Sequence, residues 1–67
     1  MTKQQPKKTV QEQLADVARR ARVPLARVVE EHAERSAIRE YLGGMPREEA
    51  EVAAVGDTRD MLEGWAR

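Results

Sequence analysis

The stretch LADVARRARVPLARVVEE, Leu14 to Glu31, decides how the chain folds. Leu14, Val17, Ala18 and Ala21 recur at helical spacing, Val23-Pro24 interrupts, and Val28-Val29 resume. Proline lacks an N–H and clashes with a preceding helical turn, so the first helix ends before Pro24. Its fixed φ suits the first turn of a second helix. Upstream, Thr9 and Glu12 in TVQE have the form of a capping box, in which each side chain bonds the other residue's free backbone N–H. With Val10 at the head of the stripe, a helix is expected over 10–22.

Downstream, a helix is expected over 24–42. Val28, Val29, Ala33, Ala37, Ile38, Tyr41 and Leu42 supply its broad apolar face, and Gly43-Gly44 stops it. At 1.5 Å per residue it spans roughly 28 Å, long for a chain with so little to cover it. Pro46 opens a further helix, with Glu48 and Glu49 where the helix dipole favours anions. Gly56-Asp57 leaves two readings open: a break before a last short helix holding Met61, Leu62 and Trp65, or one helix from 46 to 66. No stretch alternates convincingly as a strand. The expected fold is all-α, with three to four short helices and a corner at 22–24.

Composition bears on the number of copies. A chain of 67 residues has room for one domain and buries a small share of its surface. Alanine supplies ten of the apolar residues, Phe is absent, and Tyr41 and Trp65 are the only aromatics. Such a domain needs a staple: disulfides, a metal or a partner chain. Cysteine is absent and histidine occurs once, so a homodimer is expected, with Val28, Val29, Ile38, Tyr41 and Leu42 at its interface. No apolar run suffices for a membrane span or a signal peptide, and a cytoplasmic protein is expected.

A net charge of zero hides a strong asymmetry. Residues 1–29 carry seven basic side chains (Lys3, Lys7, Lys8, Arg19, Arg20, Arg22, Arg27) against Glu12 and Asp16. Residues 30–67 carry five arginines against ten acids. A basic half joined to an acidic half suggests two different partners. The chain accordingly divides into a flexible basic arm at 1–8, a helical DNA-binding and dimerisation unit at 9–44, and an acidic helical tail at 45–67. The tail's bulky apolar residues are Val52, Val55, Met61, Leu62 and Trp65. So little apolar surface barely offsets the entropy of ordering, so the tail is expected to be loosely held until it meets a basic partner. Trp65 is its expected anchor, because Trp is enriched among interface hot spots.

ARRARVPLARVV, Ala18 to Val29, resembles the core of a helix-turn-helix. Ala18 is the small residue where the helices approach, Val23 follows the turn, and Val28 packs the second helix on the first. The resemblance implies that Leu25, Ala26 and Arg27 stand on the front of a recognition helix for double-stranded DNA. Arg22 occupies the turn position that glycine usually holds, at a cost of order 1 kcal/mol if its φ is positive. A plain helical hairpin with a proline corner is the alternative. A ribbon-helix-helix is another, since ARVVEEHAERSAIREYL resembles its second helix; its strand would fall in TKQQPKKTV, where proline interrupts pairing. In either DNA-binding version Lys7, Lys8, Arg19, Arg20, Arg22 and Arg27 are expected to contact the nucleic acid, arginine pairing bidentately with phosphate or guanine edges.

No catalytic constellation is legible. His32 is the one candidate general base, with Val28 and Ser36 a turn away, which is not a metal-ligand spacing. Ser36 and Thr58 have no acid or base partner at a telling spacing, and Gly43-Gly44 is not followed by the Gly-Lys-Ser/Thr of a phosphate loop. No enzyme activity, metal or cofactor is expected. EEAEVAAVGDTRDMLEGW, Glu48 to Trp65, resembles the toxin-binding tails of small bacterial antitoxins of the MazE-like type. Glu48, Glu49, Ala50, Glu51, Ala54, Val55, Leu62, Glu63 and Trp65 carry the likeness. The resemblance implies a dimeric N-terminal repressor and an acidic tail that wraps a basic RNase toxin. The N-terminus departs from that family, since it shows none of its alternating strands. A helical adaptor or inhibitor that binds only protein is the alternative function.

Overall fold

The structure, a computed structural model, describes residues 8–65, the last of them by its backbone alone. Lys7 and the side chain of Trp65 lie outside the described residues. Three helices follow in order: α1 (Val10–Ala21), α2 (Leu25–Tyr41) and α3 (Arg47–Trp65). The described residues are thus all-helical, without a strand.

The helix ends obey local chemistry. Thr9 caps α1 and the capping box closes in both directions: the Glu12 N–H donates to Thr9 Oγ1 at 3.1 Å, and the Thr9 N–H to Glu12 Oε1 at 2.9 Å. Gly43 and Gly44 end α2 for two different reasons. A Cβ on Gly43 would stand 2.8 Å from the Arg39 carbonyl oxygen, and Gly44 has φ +66°. The first is a close approach and the second a left-handed conformation, both of which favour glycine.

α3 runs unbroken through Gly56, which settles the choice between one helix and two. A glycine inside a helix costs about 1 kcal/mol relative to alanine. That cost is outweighed because α3 packs on both other helices, more extensively than they pack on each other. Ala50, Ala54, Val55, Thr58 and Leu62 are all buried, with Thr58 Oγ1 donating to the Ala54 carbonyl at 2.8 Å. The expectation of a loosely held tail is therefore corrected. The 45–65 segment completes the core that Leu14, Val17, Ala18, Ala21 and Val28 begin.

α2 buries Val28 of the expected apolar face, and beside it the polar His32 and Ser36. Val29, Ile38, Tyr41 and Leu42 are exposed, the last two at 84%. The inverted burial is possible because α3 satisfies the polar stripe. His32 Nε2 donates to the Glu51 carbonyl at 2.8 Å, while small Ala50 and Ala54 leave room for the approach. Beside them, Arg39 grips both Asp57 oxygens at 2.6 and 2.9 Å, and Arg35 Nη2 donates to Met61 Sδ at 3.1 Å. No helix among the described residues is long and apolar enough to cross a membrane.

Candidate nucleic-acid interface

The corner between α1 and α2 is the candidate site. α1 ends in a left-handed residue, Arg22 at φ 58°, ψ 44°. The Arg22 and Val23 N–H groups both donate to the Ala18 carbonyl, the latter at 3.1 Å, which closes the helix end. Val23 turns inward against the core. Pro24, at φ −61°, then launches α2, its carbonyl accepting from Arg27 and Val28. Arg22 is the one described non-glycine residue with positive φ. A left-handed conformation costs an L-residue of order 1 kcal/mol, so the corner keeps an arginine where glycine would be cheaper.

The electrostatics of the corner favour an anion. α2 has no side-chain cap and no acid in its first turn, unlike α1 with Glu12 and α3 with Glu48 and Glu49. The positive end of its dipole is thus uncompensated by its own side chains. Arg19, Arg20, Arg22 and Arg27 are all exposed around it. They are not equally available. Asp16 binds both Lys8 and Arg19; the hydrogen bond from Lys8, helped by the charges of Lys8, Arg19 and Arg20, holds its carboxyl below the usual carboxylate range against desolvation by burial. Arg27 reaches Glu31 only at 3.9 Å. Arg20 and Arg22 make no ion pair among the described residues.

Packing adds a cation that the linear charge pattern could not show. A groove of about 630 Å³ runs between α1 and α3, and Arg20 and Arg59 both border it, over Val17 and Val52. Arg59 belongs to the acidic half of the sequence but stands exposed beside the basic one. Nothing local to Arg59 signals this, because only tertiary pairing of α3 with α1 brings it there.

The remaining predicted residues divide. Of the dimer set, Val28 is fully enclosed in the chain's own core, while Val29, Ile38, Tyr41 and Leu42 face outward. At 100° per residue, Val29 and Ile38 lie on opposite sides of α2, so one flat interface does not take both. Of the partner set, Val55 and Leu62 are buried at 3% and Met61 is half-buried under Arg35; Val52, at 61% exposure, is open. His32 faces α3 rather than solvent, through its bond to Glu51. No cluster of three or more potential metal ligands occurs among the described residues. Compared with protein-family models, curated proteins and solved structures, the chain matches none of them.

Proposed function

We propose that the chain is a small DNA-binding transcriptional regulator of the antitoxin kind, acting as a cytoplasmic homodimer without catalytic activity. The observation that carries this reading is the corner: exposed Arg20 and Arg22, without ion pairs among the described residues, beside the uncapped start of α2. Free arginines and helix N-termini both bind phosphate oxygens, which fix a protein on the duplex. Leu25, Ala26 and Arg27, all exposed, occupy the front positions of the helix-turn-helix reading. The paired Lys8 and Arg19 need only exchange Asp16 for phosphate to join them.

The second partner, a basic toxin-like protein, is supported by the acids Glu48, Glu49 and Asp60 on the exposed side of α3, with Val52 among them. Docking on the folded protein uses this outer face. Contact through Val55 and Leu62 requires α3 to leave its own core.

Duplex titration by fluorescence anisotropy over a range of salt tests the DNA reading. Affinity should fall steeply with salt, as counterions are released from the phosphates. The joint change Arg20→Ala and Arg27→Ala should weaken every duplex and flatten the salt slope by roughly two. Absence of duplex binding at low salt would leave a protein-only adaptor. That second reading is favoured by the apolar outer face of α2.

A further inference from the structure

Arg35 and Arg39 stand one helical turn apart on α2, and Met61 and Asp57 one turn apart on α3. Each arginine meets one of the two, and the two contacts are unequal. Arg39 uses one edge of its guanidinium in full: Nε and Nη2 donate to the two oxygens of Asp57 at 2.6 and 2.9 Å. Arg35 uses the same two nitrogens poorly. Its Nη2 donates to Met61 Sδ at 3.1 Å, and its buried Nε has no acceptor among the described residues. A thioether sulfur is a weak acceptor. The nearby carboxylates are engaged elsewhere, Asp57 by Arg39 and Glu31 by Arg27, and Arg35 makes no ion pair among the described residues.

We propose that Met61 is a modification site: peroxide oxidises its thioether to a sulfoxide, and the fold accepts the new oxygen on the Arg35 edge. In this step a sulfur lone pair attacks one oxygen of hydrogen peroxide. An S–O bond forms and the O–O bond breaks. Sulfur is oxidised by two electrons, the peroxide is reduced by two, and its second oxygen leaves as water with both protons. Met61 packs against the core without being enclosed by it, so it borders solvent where peroxide arrives.

A sulfoxide in a core ordinarily disrupts packing, because a polar group enters apolar surroundings. Here a charged donor already touches the sulfur. The sulfoxide oxygen stands one bond beyond Sδ, and Nε and Nη2 share one edge of a rigid planar fork, so the oxygen comes within reach of both. Arg39 on Asp57 shows that edge saturated by oxygen in the same helix pair. Bonds from a charged donor to oxygen are the strong ones, so the contact between α2 and α3 gains what the apolar surroundings of the sulfur lose. The proposal stands apart from the functional reading, since it needs neither DNA nor a protein partner.

Thermal melts of the full chain before and after hydrogen peroxide treatment test this, with peptide mapping by mass spectrometry to locate the added oxygen. Met61→Leu carried through the same treatment measures what oxidation does elsewhere in the chain. With that subtracted, oxidation of Met61 should lower the native Tm by less than about 4 °C, or raise it. In Arg35→Lys, which keeps the charge and loses the paired edge, the same oxidation should lower Tm by at least about 4 °C more. Met61→Gln places an amide oxygen near the sulfoxide position and should melt no lower than Met61→Leu, a check that holds even where the lysine variant does not fold. Equal losses in the native chain and Arg35→Lys overturn the proposal. So does a Met61 that reacts with peroxide in denaturant but not in the folded chain, or a Met61→Gln chain that melts below Met61→Leu.

Discussion

The α1–α2 corner at the start of α2 and the α2–α3 crossing along it are built oppositely. At the crossing, most polar groups are spent on each other: His32 on the Glu51 carbonyl, Arg39 on Asp57, Thr58 on Ala54, with Arg35 Nε the buried exception there. At the corner, Arg20 and Arg22 make no ion pair among the described residues and Arg22 is held in a left-handed conformation. Satisfied polar groups stabilise a fold, and unsatisfied exposed charge is free for something outside it. The difference separates what the chain uses to stand from what it has available for binding.

The crossing should be the more fragile side to mutate. Leu62→Ala removes a buried side chain from α3 and should cost about 2–5 kcal/mol, enough to unfold much of a domain this small. Thermal melts followed by circular dichroism will show the whole transition shifting; if α1 and α2 remain folded without it, α3 is a dispensable tail and the contrast collapses. His32→Ala should cost about 1–2 kcal/mol, from one lost hydrogen bond and the space it leaves. A melting temperature unchanged in that variant would mean that the bond to Glu51 contributes nothing.

The corner should answer in the other direction. Arg22→Gly relieves a left-handed arginine and should raise stability by up to about 1 kcal/mol. It should also reduce the salt slope of duplex binding by roughly one. A gain in stability with no loss of binding would detach the strain from any DNA role.

Acid gives the smallest effect. Asp57 is held below the usual carboxylate range by its hydrogen bonds from Arg39, then by the charges of Arg39 and Arg35, against opposing desolvation. A depressed folded pKa stabilises at pH above the unfolded value, about 3.9, and that contribution is lost as pH falls through the folded value. Denaturant midpoints should therefore decline below about pH 4, and less so in Asp57→Asn. Both partners are about one-third exposed, so solvent screens the pair and the change is modest.

Much of the architecture is legible in the residues because it is local. Thr9 with Glu12, Pro24, Gly43 and Gly44 mark helix ends through their own backbone chemistry, and they do so within a residue or two of the observed bounds. The buried face of α2 is not local. A stripe of Val28, His32 and Ser36 reads as worse core than Val29, Ile38 and Leu42 until Glu51, Ala50 and Ala54 are placed against it. Gly56 is ambiguous for the same reason, since its cost is offset only by packing on two other helices. At the candidate site, the exposed arginines of the corner follow from sequence, whereas Arg59 joins Arg20 only through the fold.

The order of assembly also follows from where α3 stands. α3, the helix that closes the core, is synthesised after α1 and α2. At about 5–20 residues per second its 19 residues take roughly 1–4 s to make. Throughout that interval α1 and α2 show Leu14, Val17 and Val28 to whatever is near the ribosome, with nothing of their own to cover them. A chain cut short after Gly44 would hold every arginine of the corner yet lack Val55 and Leu62, which complete the core. The corner is thus made before the helix that completes the core beneath it.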